Sequence, residues 1–424
     1  MTFQAYWYCT RLELEREKTK PAFGRLLREA LKVFHPVKFN NPLKKLPETE
    51  IVFVIITENH LKHFRPVAAL LSAKKHSFSI IYTSDTLFQK YQGEWPGISF
   101  SADAYVSRWH YFKASLFQTR LLCWNLFSAS AKKSCIIRFA KPAYLLQQTM
   151  LRLQAPRKVV LFKAESYQAN AVLLACSARH IPSFAIQHGL IGDTNQVAHL
   201  LVDKYLVWSE LFKQRLERWQ AGCAVEITGN AAYDTVFQQV QESSAKVLTA
   251  QSIRILVLPS PGFSHTPLQE VYLLLDMAIG FAHQNPEALI SIKPHPADLG
   301  ELAKAYISPY MQDCPNINLL DRMAPIPFAD NHLIAINNSG AGMEACIWGR
   351  PMIVVATTWA SVMVKQYVEE GVAEFADSFD GFTQAAAKIR ADYSSYQEKC
   401  RVFTQHQLAH HGHAAEKIVE VLTC

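Results

Sequence analysis

The sequence predicts an α/β protein with two doubly wound, Rossmann-like parallel sheets, and three observations support this fold class. The chain has 424 residues, which exceeds the size at which a single hydrophobic core usually stops growing. Half of the residues are hydrophobic, so two cores can be filled and the composition shows no sign of disorder. Apolar runs of strand length alternate with helical patterns in two successive blocks, which indicates parallel sheets.

The first block follows an N-terminal extension. Residues 1–48 contain amphipathic pieces such as RLLREALKVF, which predict a helical extension. Residues 49–235 are predicted to form the first domain. Its first strand is the apolar run IVFVIIT, followed by a helix near 65–73 and a strand at 78–83. Further strands are predicted to begin near Lys158, Ser183, Lys204 and Val225.

The second block starts after a polar interval at 234–252, which carries no strand pattern and predicts a linker. Residues 250–400 are predicted to form the second domain, and 401–424 a terminal helix. Strands are expected near Ile253, Ala288, Leu333 and Pro351. Because ligands of doubly wound sheets bind at the carboxyl ends of strands, we expect the site in a cleft between the two domains.

Cysteine usage and hydropathy predict a cytoplasmic protein. The nine cysteines are odd in number and form no C-x-x-C pair, as is typical of reduced thiols and not of a disulfide framework or a zinc site. The longest uncharged apolar runs, 351–364 and 121–131, are shorter than the roughly 20 residues that span a bilayer. The N-terminal sequence also lacks a secretory signal pattern, so no spanning or exported segment is predicted.

The positive charge is concentrated in one segment. Although the net charge is only +7, residues 104–164 contain eleven Lys and Arg residues and no Asp or Glu, interleaved with aromatic residues. This composition favours contact with anionic lipid headgroups or a polyanion. The alternative is a solvated basic face with its aromatics in the core, and the sequence leaves both open. No helix-turn-helix, RNP or zinc-finger pattern is present, so nucleic acid is not a predicted partner.

Histidines follow two predicted strands of the first domain. His188 ends the run FAIQHG, where an imidazole would face the cleft and could act in acid/base chemistry. A purely structural histidine is the alternative. His60 and His63 follow the first strand and could face an acceptor, or lie on a helix surface.

Two motifs follow strands of the second domain. The first is Lys293-Pro-His295-Pro, in which two prolines stiffen a loop that presents a lysine and an imidazole suited to phosphate oxygens. The second is the segment NSGAGMEA, which contains Ser339, Gly340, Gly342 and Glu344 between a strand and a helix. Small residues and a helix N-terminus suit a phosphate, and Glu344 suits a ribose diol or simply complements the helix dipole.

Several other chemistries are not predicted. Gly340, Gly342 and Ala345 match the G-x-G-x-x-A dinucleotide pattern, but the next strand lacks the acidic residue that a nicotinamide cofactor site needs. No nucleophile elbow, Walker A loop, H-E-x-x-H or D-x-D metal pair is present. We therefore expect neither a metal ion nor a cofactor.

The order of five motifs resembles the bacterial GT-B glycosyltransferase superfamily. The motifs, which span 181–356, are IPSFAIQHG, DKYLVWSELFKQRL, VEITGNAAYD, IKPHP and INNSGAGMEACIWGRPMIVV. The most similar branches are capsule and surface-polysaccharide transferases, including Kdo and sialic acid transferases, CDP-glycerol glycerophosphotransferases, and non-hydrolysing UDP-N-acetylglucosamine 2-epimerases. The resemblance implies a GT-B fold, with an acceptor domain followed by a nucleotide-sugar donor domain.

The resemblance also implies roles for individual residues. The histidine of a Trp-His-Gly sequence in the glycerophosphotransferases is a candidate base and corresponds to His188, although Gln187 replaces the tryptophan here. His60 is the rival base. The implied contacts to the nucleotide, its phosphates and its ribose come from Ser260, Lys293, His295, Ser339, Gly340, Gly342 and Glu344.

The implied function is a metal-independent glycosyltransferase. It would move a sugar from a CMP-, CDP- or UDP-linked donor to a surface glycan or lipid-linked acceptor, at the inner face of the cytoplasmic membrane. One alternative is an isomerase like the 2-epimerases, although PSPGFSHTP stands where those enzymes carry a His-Arg-Arg-Glu-Asn stretch. The other alternative is a non-catalytic nucleotide-sugar-binding protein.

Overall fold

A computed structural model gives the fold of most of the chain. It describes residues 49–95, 98–101, 113, 143–144, 146–148, 150–151, 156–164, 166–189, 191, 200–242, 252–260, 268–296, 298, 301–356 and 362–424. The described chain divides into two compact units. The first consists of the described residues up to Ala232 together with His413–Cys424, and the second consists of those within Tyr233–Gly412.

The first unit contains a seven-stranded parallel sheet in the order β3-β2-β1-β4-β5-β6-β7. Its strands are β1 Ile51–Ile55, β2 Phe78–Tyr82, β3 Ile98–Ser101, β4 Lys158–Leu161, β5 Ser183–Ile186, β6 Lys204–Val207 and β7 Ala224–Ile227. Its helices are α1 Leu61–Ala73, α2 Asp85–Tyr91, α3 Tyr167–Ala178 and α4 Glu210–Arg218, and α12 Ala414–Thr423 from the end of the chain.

The apolar strands of the first unit are covered on both faces, as parallel sheets require. Every residue of β1 is buried, and the ring of Phe53 packs edge-on against Phe64 of α1 with centroids 5.0 Å apart. Helix α12 packs against α1, and Lys158 Nζ donates to Leu422 O at 2.8 Å. The last helix of the chain therefore completes the core of the first unit.

The second unit contains a six-stranded parallel sheet in the order β10-β9-β8-β11-β12-β13. The strands are β8 Arg254–Leu258, β9 Leu289–Ile292, β10 Ile317–Leu319, β11 Leu333–Ile336, β12 Met352–Val355 and β13 Ala373–Ala376. The helices are α5 Asp234–Glu242, α6 Leu268–Gln284, α7 Leu302–Ile307, α8 Ala341–Ile347, α9 Val362–Glu369, α10 Phe379–Ala391 and α11 Tyr393–Gln407.

The predicted fold class is confirmed, because each unit is a parallel sheet with flanking helices in doubly wound order. The division of the chain differs in detail from the prediction. The interval expected to be a linker begins with helix α5, which belongs to the second unit. The single terminal helix predicted at 401–424 is instead the end of α11, in the second unit, and the separate helix α12, in the first. The predicted extension at 1–48 lies outside the described residues. In the part of the chain that the structure describes, no helix is both long and apolar enough to cross a bilayer.

Candidate functional site

Three histidines lie at the carboxyl edge of the first sheet, near the point where the strand order reverses between β1 and β4. His60 ends a short 3-10 helix, Glu58–His60, that follows β1. His63 lies in the first turn of α1, and His188 follows β5. The ring centroids of His60 and His188 are 5.1 Å apart. Since ligands of doubly wound domains bind at such a reversal, these histidines form the candidate catalytic site of the first unit.

The ring of His60 is buried and neutral. Its Nδ1 accepts a hydrogen bond from the Ile56 backbone N–H at 3.3 Å, so in the neutral ring the proton lies on Nε2. Burial, followed by repulsion from the neighbouring rings of His188 and His63, lowers the pKa of His60 to about 2. At physiological pH this imidazole is therefore uncharged and weakly basic.

The ring of His63 is also buried and neutral, but its proton lies on the other nitrogen. Asn230 Oδ1 accepts from the Ala232 backbone N–H at 3.1 Å, which identifies the amide oxygen. The Nδ1 of His63, 2.9 Å from this oxygen, must then be the donor. Burial, followed by the charges of Lys62 and His188, lowers the pKa of His63 to about 3, and the hydrogen bonds of the ring to Asn230 and to the His188 backbone oppose this shift.

His188 is the most exposed of the three rings and lies in a loop fixed by its neighbour. Gln187 is 1% exposed and hydrogen-bonds through its backbone and both ends of its amide. Trp208, which follows β6, accounts for two of these bonds, and its indole stacks on the His63 ring with centroids 6.5 Å apart. The loop that carries His188 is therefore part of one packed network with His63.

A second group of predicted residues lies at the carboxyl edge of the second sheet, where the strand order reverses between β8 and β11. Ser260 follows β8 and is buried, and its hydroxyl donates to Asn338 O at 3.1 Å. This bond joins the loops on the two sides of the reversal. Ser339 Oγ accepts from the Ala341 backbone N–H at 3.3 Å, at the start of α8. Both hydroxyls thus shape the loops beside the predicted phosphate site.

The two glycines of this segment have different surroundings. Gly340 is exposed, and a Cβ added there would meet nothing within 4 Å. A Cβ added at Gly342 would lie 2.5 Å from Cε2 of the buried Tyr367 ring. Gly342 is therefore needed for the packing of α8, whereas Gly340 leaves open space at the helix N-terminus.

Glu344 lies in the first turn of α8 and is half-buried. Burial raises the pKa of both Tyr233 and Tyr367, and the negative charge of Glu344 raises it further. The carboxylate therefore lies close to these two phenols. Its predicted contact with a ribose stays a prediction.

Lys293 follows β9 but its ammonium does not extend into solvent. The side chain is buried, and Nζ donates to the backbone oxygen of Arg322 at 2.8 Å. The Arg322 guanidinium in turn donates to Asp298 O at 3.0 Å. Burial lowers the pKa of Lys293. Lys293 thus holds the loops after β9 and β10 together, and its predicted phosphate contact stays a prediction.

A pocket of 370 Å³ lies beside the Lys293 loop. Its lining combines apolar and charged side chains, contributed by Pro294, Asp298, Glu301, Lys304, Leu319, Leu320, Asp321, Arg322 and Met323. His295, exposed at the end of the same loop, has its pKa lowered by partial burial of the ring and by the Lys293 ammonium. The pocket is within the size range of small-molecule sites.

The predicted site residues thus fall into two groups, with His60 and His188 in the first unit and the predicted donor residues in the second. The sequence predicted that His63 could face an acceptor or lie on a helix surface, but gave it no role in the site, and it did not point to Asn230, Trp208 or Arg322. The i, i+3 spacing of His60 and His63 was the available signal for His63, because such residues share a helix face.

Metal-ligand groupings are absent from the described ranges: no three His, Cys, Asp or Glu residues there lie close enough together to hold an ion.

Comparison with known proteins identifies the fold. No protein-family model matches the sequence, and no curated protein matches it significantly. Among solved structures, a putative UDP-N-acetylglucosamine 2-epimerase from Listeria monocytogenes is similar, with a TM-score of 0.58 and 13% identity over 89% of this chain and 96% of that chain. MurG from Acinetobacter baumannii is similar with a TM-score of 0.56 and 13% identity, over 89% and 99% of the two chains.

The UDP-GlcNAc 2-epimerase of Methanocaldococcus jannaschii gives a TM-score of 0.55 at 14% identity, over 88% of this chain and 99% of that chain. These chains match almost in full, so the likeness covers both units and not one Rossmann-like domain alone. The protein therefore has the GT-B type of fold, with two Rossmann-like domains. At such identities the likeness defines the fold and leaves the reaction open.

Proposed function

We propose that this protein is a metal-independent glycosyltransferase that uses a nucleotide-activated sugar. The proposal rests on one observation: the candidate residues for proton transfer and those for phosphate binding lie on different sheets. An imidazole cluster lies at the carboxyl edge of the first sheet, and a phosphate-compatible loop set with a pocket lies at the same edge of the second. The histidines lie near the strand-order reversal of the first sheet, and Ser260 and Ser339 flank the reversal of the second, where doubly wound domains bind ligands; the pocket lies beside it, after β9 and β10.

The second unit is suited to the nucleotide half of the donor. Gly340 leaves room for a phosphate at the N-terminus of α8, where the helix dipole favours an anion, and His295 is exposed on the loop after β9. The 370 Å³ pocket beside that loop has apolar side chains for a planar base and charged ones for its edges. UDP and UDP-GlcNAc are bound by the structurally similar Methanocaldococcus jannaschii epimerase, which supports a nucleotide-sugar donor here.

The first unit is suited to activating an acceptor hydroxyl, with His188 as the base. His60 is 1% exposed, its Nδ1 is engaged by the Ile56 N–H, and its pKa is about 2, so it is a poor proton acceptor. His63 is equally buried. His188 is half-buried and thus accessible to an acceptor.

The reaction would proceed by a single displacement or through a short-lived oxocarbenium ion. His188 takes the proton of the acceptor hydroxyl as that oxygen forms a bond to the anomeric carbon, while the bond between this carbon and the phosphate oxygen breaks. The leaving nucleotide gains negative charge. The N-terminus of α8, together with Ser339 and His295, would stabilise this charge.

Ligand-induced stabilisation tests the donor assignment. The pure protein is heated with a panel of CMP-, CDP-, UDP- and GDP-sugars, and a ligand at 100 times its Kd raises the free energy of unfolding by about 2.7 kcal/mol. The stabilising donor is then incubated with and without candidate glycan or lipid-linked acceptors. Acceptor-dependent release of the nucleotide supports a transferase, conversion without an acceptor identifies an isomerase, and binding without turnover identifies a non-catalytic binder.

A further inference from the structure

Residues 187–189, which the structure describes around His188, lie outside any strand or helix. Strand β5 ends at Ile186, and the histidine lies two residues later. The Gln187 backbone N–H still bonds to Leu206 O of the neighbouring strand β6, at 2.9 Å. It extends the backbone hydrogen bonding between β5 and β6 by one residue beyond the end of β5. Side chains add further restraint on the position of His188.

The Gln187 amide supplies that restraint with both of its ends. Its Oε1 accepts from the backbone N–H of Trp208 at 3.0 Å, and its Nε2 donates to the backbone oxygen of Gly189 at 2.9 Å. The first bond ties the loop to the end of β6, and the second closes the loop around His188. A primary amide is required, because one acceptor and one donor are used at once.

The indole of Trp208 holds the same loop from the backbone side. Its Nε1–H donates to the backbone oxygen of Gln187 at 2.8 Å. The ring is itself fixed, since it stacks on His63 and packs edge-on against Phe212 with centroids 5.6 Å apart. His63 is in turn bonded to Asn230. The support for the loop therefore extends through buried side chains to α1 and to the segment after β7.

We propose that Gln187 and Trp208 are a positioning pair that fixes the His188 ring for proton transfer. This inference rests on the proposed function, because it takes His188 as the base. Both side chains are buried and act through the backbone on the two sides of the histidine. A displacement of about 1 Å in a reacting group can cost on the order of 100-fold in rate, so loss of either contact should slow turnover without affecting the donor site in the other unit.

Two substitutions with matched controls test the pair. Gln187→Glu keeps the acceptor for the Trp208 N–H but replaces the donor to Gly189 O with an acceptor. Trp208→Phe keeps an aromatic ring against His63 but removes the indole N–H. The controls are Gln214→Glu on the exposed face of α4 and Trp219→Phe at its end, which make the same chemical changes in the same unit. If Gln187→Glu fails to fold, the neutral Gln187→Met replaces it.

Two measurements are made on each variant. Turnover is separated from donor affinity by steady-state kinetics and calorimetry, and the ring nitrogens of His188 are followed by NMR of protein labelled with ¹⁵N histidine. We expect kcat to fall 10- to 100-fold in both variants, donor Kd to stay within twofold, and the His188 resonances to move. The controls should retain the wild-type values.

If both variants keep the wild-type kcat and unmoved His188 resonances, the proposal that Gln187 and Trp208 position His188 is wrong. A fall in donor affinity as large as the fall in kcat would overturn it as well, since a general loss of structure then explains both. If the wild type catalyses no transfer at all, the proposed function fails, but the positioning is still decided by the resonances. The two failures can thus be told apart.

Discussion

The two units carry the same type of sheet but differ in what they place at its carboxyl edge. In the first unit the edge is crowded with buried rings whose hydrogen bonds fix even the tautomers of His60 and His63. In the second it has an exposed glycine, an exposed imidazole at His295 and an open pocket. The first edge is thus tightly packed, whereas the second leaves space for a ligand, and this contrast agrees with the proposed division into proton transfer and donor binding.

The buried histidines of the first edge should make folding sensitive to acid, and this is the largest effect we expect. In the unfolded chain a histidine has a pKa near 6.5, whereas His60 and His63 have pKa values of about 2 and about 3 in the folded protein. Below pH 6.5 the unfolded state therefore binds more protons, so their contribution is fully present above this pH and is lost as the pH falls towards the folded pKa values.

From pH 7 to pH 5 each buried histidine should reduce the free energy of unfolding by about 2 kcal/mol. Urea unfolding at a series of pH values measures this slope. His60→Asn keeps an acceptor for the Ile56 N–H and should remove about half of the acid sensitivity. An equally steep slope in that variant would show that His60 is not a buried neutral ring.

The next largest effect on the free energy of unfolding should come from disturbing the packing at the carboxyl edge of the second sheet. Gly342→Ala would bring a methyl group 2.5 Å from the Tyr367 ring, so α8 must shift. We expect a loss of about 1–3 kcal/mol in the free energy of unfolding, as is typical of overpacking. Gly340→Ala, where the added Cβ has open space, is the control and should cost much less. Equal losses in the two variants would contradict the packing role of Gly342.

Donor binding should depend on the second edge alone. His295→Ala and Glu344→Ala are expected to weaken donor binding by about 10-fold, equivalent to about 1.4 kcal/mol, while the protein stays folded. Calorimetry with the stabilising nucleotide sugar measures this. His76→Ala, which removes a half-buried hydrogen bond between the imidazole and Glu50 in the first unit, is the control. Unchanged affinity in both site variants would remove these residues from the donor site.

The smallest effect per residue concerns the basic segment at 104–164, most of which lies outside the described residues. We propose that it binds anionic membranes, with about 1 kcal/mol from each basic residue that reaches the surface. Co-sedimentation with anionic and neutral vesicles should show binding that weakens as salt rises. A variant with Lys132, Lys133, Arg138 and Lys141 changed to Glu should not bind. Retained binding by that variant would assign the charge to a solvated face or an acceptor groove.

The sequence predicted the two sheets because strands buried on both faces become continuous apolar runs, as in Ile51–Ile55. It also predicted that His188 follows a strand. It did not predict the contact between His63 and Asn230, which are 167 residues apart, because such pairs are set by how helices pack on the sheet. The sequence also did not predict that the Lys293 side chain is buried, because its hydrogen-bond partner is the backbone oxygen of Arg322 and not a side chain that a motif would reveal.

The return of the last helix to the first unit was missed for a related reason. Residues 401–424 were predicted to be helical, but the apolar face of α12 does not specify which core it covers. In the sequence, Gln187 is only a departure from a family pattern. Its hydrogen bond with Trp208, 21 residues later, depends on the fold and has no local signal.

The division of chemistry between the two edges is tested most directly by comparing kcat and donor Kd in His188→Ala. The account predicts that kcat falls by about 10² or more, as expected for loss of a general base, while donor Kd stays within twofold. His60→Ala is measured in parallel and should lose much less activity. If His60→Ala abolishes transfer while His188→Ala retains it, or if His188→Ala loses donor affinity and not turnover, the assignment of proton transfer to His188 is wrong.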